Sequence, residues 1–177
     1  HPCQIICDIL TIWEHKGSLD NLKICYMGDG NNIVHSWLQL ASRLPMDFVC
    51  CGPEGFEPDL ETVKMVQDSA SSSFQLSYDP ISAVKDADVI YTDVWASMGQ
   101  KEEAAEREKV FAPYQVNKNL INNTGKDTLF MHCLPAERGR EVTDEVMESK
   151  NSIVFDQAEN RMHAQNAIMV YLTNNLS

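Results

Sequence analysis

Residues 93–100 (Asp-Val-Trp-Ala-Ser-Met-Gly-Gln) combine side chains that suit the binding of a small polar molecule. They follow the apolar run 88–92, which is typical of a buried strand. Ligands of parallel α/β sheets bind at the carboxyl ends of the strands. A carboxylate, a hydroxyl and free backbone N–H groups at such a point suit the ammonium and the carboxylate of an amino acid. A strand-to-helix turn capped by Ser97 explains the same residues, so both interpretations stay open.

A second strand is predicted to end at the turn 28–32, Gly-Asp-Gly-Asn-Asn. Glycines allow a tight turn there, and the N-terminus of the following helix attracts anions. Ile33 stands where a dinucleotide fingerprint has its third glycine, and the next strand ends in two cysteines instead of a ribose-binding acid. We therefore expect the Asn32 amide to point into the crevice at the strand ends. Capping of the helix by Asn31 or Asn32 is the alternative.

A third strand leads into His132-Cys-Leu-Pro135. The Cys133 thiol could act as a nucleophile, a hydrogen-bonding group or a small packed hydrophobic side chain, and buried cysteines usually do the last. No base lies beside it in the sequence, so a covalent thioester is not predicted. His132 is expected to be structural.

Two further candidates lie near the ends of the chain. Arg161 sits near the start of the terminal helix, where the helix dipole disfavours a cation, which indicates an anion contact or a salt bridge to Asp156 or Glu159. His1 and Gln4 share one face of the first helix. A neutral histidine there could polarise a carbonyl and Gln4 could bind an amide or amine, although a terminal residue can also be disordered.

Strands and helices alternate along the whole chain. Strands are predicted at 22–27, 47–51, 74–78, 88–92, 128–131 and 152–155, and helices at 2–15, 33–44, 59–70, 80–85, 101–110 and 157–172. This alternation predicts a three-layer α/β/α doubly wound parallel sheet, Rossmann-like and formed by a single domain.

Composition narrows the possible partners and compartments. The 177 residues carry a net charge of −12, which argues against nucleic acid and anionic membranes as partners. No run approaches the about 18 apolar residues of a membrane helix. The six cysteines include no Cys-x-x-Cys pair and are interpreted as buried free thiols in a reducing compartment.

Taken in order, His1-Pro-x-Gln4, the 28–32 turn, Asp93-Val-Trp-x-Ser-Met-Gly99, His132-Cys-Leu-Pro135 and Glu159-Asn-Arg161 resemble ornithine carbamoyltransferases. The resemblance implies that residues 1–17 form an interdomain crossover helix and that residues 18–177 form the ornithine-binding domain. The family's Ser-Thr-Arg-Thr-Arg phosphate loop does not occur in the chain. We therefore expect that the N-terminal carbamoyl phosphate-binding domain is absent from this chain.

The same resemblance assigns roles to residues. It implies that ornithine is bound by Asn32, Asp93, Ser97 and Met98. It implies that carbamoyl phosphate is contacted by His1, Gln4, Cys133, Leu134 and Arg161. Of these residues, Cys133, His1 and Asp93 are expected to be catalytic.

The implied reaction transfers the carbamoyl group of carbamoyl phosphate to the δ-amine of L-ornithine, giving L-citrulline and phosphate. Neither a metal nor an organic cofactor is expected. The parent protein is expected to form a homotrimer or a multiple of trimers in the cytoplasm, with the mitochondrial matrix as the alternative.

Three other functions compete with this expectation. One is a sibling carbamoyltransferase for putrescine, N-acetylornithine or aspartate, and Ser97-Met98-Gly99 favours ornithine over these amines. The second is a dinucleotide-binding oxidoreductase domain. The third is a non-catalytic module that keeps the amino-acid pocket.

Overall fold

A single parallel sheet forms the centre of the molecule, as predicted, and it has five of the six predicted strands. The computed structural model describes residues 1–69, 71–95 and 101–175, with the side chains of 101–104 outside that description. The strands are β1 (Lys23–Met27), β2 (Asp47–Cys51), β3 (Ser73–Ser77), β4 (Val89–Thr92) and β5 (Leu129–His132). Their spatial order is β3-β2-β1-β4-β5, and every neighbouring pair is parallel.

Helices cover both faces of this sheet. They are α1 (Pro2–Lys16), α2 (Asn32–Ala41), α3 (Leu60–Ser69), α4 (Pro80–Ala83), α5 (Lys101–Phe111), α6 (Lys118–Asn122), α7 (Asp144–Met147) and α8 (Val154–Asn175), with a short 3-10 turn at Ala112–Tyr114. Successive side chains of a strand point to opposite faces. Ile24 and Tyr26 accordingly pack with α1, α2 and α3, whereas Cys25 and Met27 pack with α4, α6 and α7. The two cores confirm the three-layer architecture.

The prediction of a last strand at 152–155 is wrong. Only Ser152 forms an isolated bridge, to Phe130, and α8 already begins at Val154. A short apolar run does not distinguish a buried strand from the buried first turn of a helix. The terminal helix therefore starts three residues before the predicted position. Two short helices, α6 and α7, were not predicted, because each has at most five residues and too little sequence to show a helical period.

Four of the six cysteines, Cys7, Cys25, Cys50 and Cys51, are buried, and all six are free thiols. Burial raises the pKa of the Cys7 thiol to about 11 and that of Cys51 to about 12. These side chains therefore behave as small neutral hydrophobic groups, as predicted. Among the described helices, none combines the length and the apolar character that a membrane span requires.

Candidate functional site

The sequence-predicted site residues meet at the carboxyl edge of the sheet. β4 lies between β1 and β5, so the residues that follow these three strands are neighbours in space. The N-terminus of α1 and one face of α8 approach the same edge. They enclose a cavity of about 560 Å³ whose lining includes His1, Gln4, Asp93, Cys133, Leu134 and Arg161.

Asp93 follows β4 directly and is held by its neighbours. The Val94 backbone N–H donates to Asp93 Oδ1 at 2.8 Å, and Asn31 Nδ2 donates to Oδ2 at 3.3 Å. The Asn31 side-chain oxygen also accepts from the backbone N–H of Ile33 at 2.9 Å, which caps α2. One asparagine thus starts the helix and orients the acid. From the sequence, Asn31 was expected only as a possible helix cap.

Asn32 lines a smaller polar cavity that adjoins this one at His1 and Asp93. Its Nδ2 lies 3.0 Å from His1 Nε2, and because an amide nitrogen only donates, Nε2 accepts in this bond. The Asn32 side chain is exposed and does not cap the helix. The contact ties the start of α1 to the turn after β1.

Cys133 faces Asp93 from the end of β5. Burial, followed by the nearby Asp93 carboxylate, raises the pKa of this thiol far above its ordinary value. A thiolate beside the Asp93 carboxylate would be strongly disfavoured, so the side chain is a neutral thiol. The geometry therefore offers a hydrogen-bonding or packing group at this position and no cysteine nucleophile.

His132 is structural, as predicted. Its Nδ1 accepts the backbone N–H of Leu134 at 2.9 Å, and its Nε2 lies 3.2 Å from Oε1 of the buried Glu141. Leu134 has a φ of +57°, in the left-handed region that non-glycine residues rarely adopt. His132 thus fixes the backbone of the loop that lines the cavity.

These two bonds also bear on metal binding. Among the described residues, Asp93, His132 and Cys133 bring one possible ligand atom each within 4.8 Å of one another. Because both ring nitrogens of His132 are already engaged, the group does not form a ready metal site.

Arg161 reaches the cavity from α8. The alternative of a salt bridge to Asp156 or Glu159 is wrong, because neither of these described carboxylates lies within ion-pair distance of Arg161. Asp156 instead pairs with His15 at 2.8 Å, and Glu159 lies 3.8 Å from His163. Within the part of the chain that the structure describes, Arg161 has no ion-pair partner. It is a cation available to an anionic ligand.

Behind the cavity lies a polar network that the sequence analysis missed. Asp8 lies on α1 and is fully buried. Its Oδ1 accepts hydrogen bonds from Gln4 Nε2 at 2.7 Å and from Gln157 Nε2 at 2.8 Å. Tyr91 OH donates to Oδ2 at 2.9 Å. In sequence, Asp8 looks like one polar residue of an amphipathic helix, and no local signal marks its burial.

A second polar cavity of about 330 Å³ adjoins the first and is lined by Arg107. The guanidinium lies 4.8 Å from the ring centre of Phe56 and 5.0 Å from that of Phe111. It also donates to the Trp95 carbonyl and pairs with Asp29. The segment 101–110 was predicted to be a solvated helix, and Arg107 is an exception that anchors α5 beside the site.

Ser97 and Met98, the remaining predicted ornithine-binding residues, lie outside the described residues. The described part of the site thus comprises the Asp93 carboxylate, the Gln4 and asparagine amides, the Cys133 thiol and the Arg161 guanidinium.

The sequence of the chain matches a known protein family. The family model of the Asp/Orn binding domain of aspartate/ornithine carbamoyltransferase matches residues 20–172. The chain belongs to the aspartate/ornithine carbamoyltransferase family. This membership removes the dinucleotide-binding oxidoreductase as a candidate function.

Individual carbamoyltransferases are closely similar. The chain is 54% identical to an ornithine carbamoyltransferase of Pyrococcus horikoshii over 175 residues, covering 97% of this chain and 55% of that protein. It is 59% identical to a chloroplastic ornithine carbamoyltransferase of Pisum sativum over 172 residues, covering 97% and 46%. The chain thus spans about half the length of the curated relatives it matches.

Solved carbamoyltransferase structures share the fold. The ornithine carbamoyltransferase of Pyrococcus furiosus superposes with a TM-score of 0.89 at 55% identity, over 96% of this chain and 55% of that one. The anabolic enzyme of Campylobacter jejuni gives a TM-score of 0.91 at 34% identity, over 98% and 59%.

Proposed function

We propose that the full-length protein containing this chain is an ornithine carbamoyltransferase and that this chain supplies its ornithine-binding half. One observation carries the proposal. An acid, Asp93, and a cation without an ion-pair partner among the described residues, Arg161, line the same cavity at the carboxyl edge of the sheet. The ammonium group of an amino-acid substrate is complementary in charge to Asp93, and a phosphorylated co-substrate is complementary in charge to Arg161.

The amine would be bound on the side of the cavity formed by the strand ends. Asp93 is held by Asn31 and by its own loop, so its carboxylate can meet an ammonium group without rearrangement. Asn32 adds an amide from the adjoining polar cavity. Ser97 and Met98 are proposed to complete this side, with the backbone near Met98 meeting the ornithine carboxylate.

Carbamoyl phosphate would be bound between α1 and α8. Arg161 would contact the anionic ligand, and His1 and Gln4 would contact the carbamoyl group. Leu134, whose backbone is fixed by His132, and the neutral Cys133 would line the reacting centre. Both substrates then lie on opposite sides of one cavity, which favours their reaction by proximity.

The proposed reaction needs positioning more than covalent catalysis. The δ-ammonium of ornithine loses a proton to solvent, and the neutral amine attacks the carbamoyl carbon. The carbon–oxygen bond to phosphate breaks, phosphate takes the electron pair, and the nitrogen releases its second proton to give citrulline. Hydrogen-bond donors near the carbamoyl oxygen stabilise the charge that develops in the transition state. The chemistry requires neither a metal nor an organic cofactor.

We further propose that residues 1–17 cross between two domains, that residues 18–177 form the ornithine-binding domain, and that an N-terminal half completes the site. An apolar groove between α1 and α8 supports this division, and its lining includes Ile6, Leu10, Ile168, Tyr171 and Leu172. Exposed apolar surface of this kind marks an interface. Relatives about twice as long carry a segment that could cover it. The whole protein is proposed to be a homotrimer or a multiple of trimers.

Arginine biosynthesis or a urea cycle would use this reaction. We propose the cytoplasm as the compartment and the mitochondrial matrix as the alternative. The relatives include an anabolic archaeal enzyme and a chloroplastic one, so compartments differ within the family.

The deciding experiment supplies the full-length protein with carbamoyl phosphate and, in parallel, with ornithine, putrescine, N-acetylornithine or aspartate. Carbamoylated product is measured for each amine. Citrulline as the dominant product supports the proposal. Product from another amine would reassign the chain to a sibling carbamoyltransferase, and product from none would favour a non-catalytic binding module.

A further inference from the structure

The buried Asp8 carboxylate forms the junction of four elements around the candidate site. It belongs to α1, and its three hydrogen-bond donors come from α1, β4 and α8: Gln4, Tyr91 and Gln157. Gln157 also accepts the backbone N–H of His132 at 3.0 Å, which links β5 to the same network. None of these bonds is needed to start or end a helix. The three donors offset part of the free-energy cost of burying the carboxylate.

The network fixes the orientation of the Gln4 side chain. An ionised carboxylate only accepts hydrogen bonds, so the Gln4 amide must turn its Nε2 toward Asp8, at 2.7 Å. Its Oε1 is then the atom left for the cavity, whose lining includes Gln4. Across the described part of the chain, Gln4 Oε1 takes part in no hydrogen bond. It is therefore an unused acceptor aimed at a ligand.

We infer that Asp8 is a positioning residue that holds Gln4 with its amide oxygen toward the cavity and thereby selects a ligand with an N–H group at that point. The inference rests on the proposed function and deepens it, since the amino group of carbamoyl phosphate presents such an N–H. A ligand with a methyl group in the same place leaves the Gln4 oxygen without its partner. A buried acceptor without a partner lowers affinity, and the site discriminates through that loss.

Acetyl phosphate is the matched probe, because a methyl group replaces the amino group of carbamoyl phosphate. The experiment measures dissociation constants of both compounds for the full-length protein by calorimetry. The preference for carbamoyl phosphate is the ratio of the two constants. In Asp8→Ala, Gln4 can turn either end to the ligand, so we expect this ratio to fall by about tenfold, the value of one hydrogen bond of ordinary strength.

Two control variants separate orientation from general damage. Asp8→Asn keeps an oxygen that can accept from Gln4 and Gln157, so most of the preference should return. Thr11 lies one turn further along α1, is fully buried, donates to the Cys7 carbonyl at 2.9 Å and accepts from Asn160 at 3.0 Å. Thr11→Ala should lower the melting temperature, as Asp8→Ala does, and leave the ratio unchanged.

A double-mutant cycle tests whether Asp8 acts through Gln4. Gln4→Ala removes the acceptor, so Asp8→Ala should not change the ratio further in that background. Should Asp8→Ala not fold, Asp8→Ser supplies the same test, because its hydroxyl lies one bond short of the carboxylate oxygens.

The outcomes distinguish the two proposals. If the wild type forms citrulline but folded Asp8→Ala or Asp8→Ser keeps the full preference, Asp8 does not orient Gln4 and the inference is overturned. Equal loss of the ratio in Thr11→Ala overturns it as well. A wild type that carbamoylates no amine and binds neither phosphate refutes the proposed function itself, and the inference with it.

Discussion

The candidate site, which comprises the cavity and the smaller polar cavity beside it, has two sides that are built differently. The strand side consists of residues that follow β1, β4 and β5: Asn31, Asn32, Asp93 and Cys133. The helix side consists of residues on α1 and α8: His1, Gln4 and Arg161. The strand side is positioned by the register of a parallel sheet and by short loops. The helix side is positioned by the packing of two helices that lie far apart in sequence.

This difference predicts how each side responds to change. A strand-end side chain can be altered while the sheet beneath it remains paired, so binding should change more than stability. The helix side rests on the buried network around Asp8, so stability and binding should change together. The predictions below test this contrast in order of decreasing effect.

The largest effect should come from testing the 177-residue chain without the rest of the full-length protein. We expect citrulline formation to fall by at least about a thousandfold, because the effective concentration gained by holding two substrates together is lost. The measurement is citrulline formed per mole of chain, with circular dichroism to establish that the chain is folded. A rate close to that of the full-length protein would show that this half contains a complete site.

On the helix side, the stability of the protein should depend on the ionisation of Asp8. Burial, the largest cause, raises the pKa of Asp8 to about 6 from an ordinary 3.8, although bonds from Gln4, Gln157 and Tyr91 lower it. A raised pKa means that the unfolded chain releases this proton at lower pH than the folded chain. The stabilising effect is therefore fully present below about pH 4 and lost as the pH rises through 6.

The expected loss from Asp8 is about 3 kcal/mol of unfolding free energy, at about 1.4 kcal/mol for each unit of pKa difference. Urea denaturation at pH 4 to 7 measures it, and Asp8→Asn serves as the reference because it cannot titrate. The wild type should lose stability relative to Asp8→Asn across this range. Parallel curves for the two proteins would contradict a buried, ionising Asp8.

On the strand side, Asp93→Asn should raise the KM for ornithine in the full-length protein by about thirtyfold. This corresponds to the loss of one charged hydrogen bond, about 2 kcal/mol. The melting temperature should change little, because Asp93 is only partly buried and faces the cavity.

Asp88→Asn is the matched control for that substitution. Asp88 lies just before β4, where it accepts the backbone N–H of Lys23 at 2.9 Å and pairs with Lys16 and Lys126. Asp88→Asn should lower the melting temperature and leave the KM for ornithine unchanged. An Asp93→Asn protein that loses stability and activity in proportion would instead mark Asp93 as structural.

The smallest effect concerns the adjacent asparagines at the start of α2. Asn31→Ala should lower the free energy of unfolding by about 1 kcal/mol, since it removes the helix cap and the bond to Asp93. Asn32 does not cap the helix, so Asn32→Ala should change the free energy of unfolding by less than about 0.5 kcal/mol. Denaturant titration of both variants measures this difference. A larger loss in Asn32→Ala would reverse the assignment of the cap.

Sequence patterns predicted most of the fold because the buried strands are continuous apolar runs bounded by turns. The predicted β2 agrees with the observed one at both ends, and the other four observed strands agree within one residue. The failure at 152–155 has the same origin, since an apolar run also begins a buried helix. The short helices α6 and α7 escaped prediction because one turn contains no measurable period.

The strand side of the site was also predictable in part. Asp93 and Cys133 were found because they directly follow apolar strands, and parallel topology brings such positions together. Arg107 was missed, because its sequence surroundings are those of a solvated helix. Phe111 lies one turn further along the same helix, but Phe56 and the partner Asp29 come from distant segments.

The sequence by itself determined the alternation of strands and helices, the parallel sheet and the residue types at the strand ends, because these depend on local patterns of hydrophobicity and turn formation. Only the tertiary structure decided that Asp8 is buried and accepts a hydrogen bond from the Gln4 amide. It also decided that Arg161 has no ion-pair partner among the described residues and that Cys133 is a neutral thiol. These properties depend on contacts between α1, β4, β5 and α8. A local sequence pattern does not show which polar groups become buried when distant elements pack together.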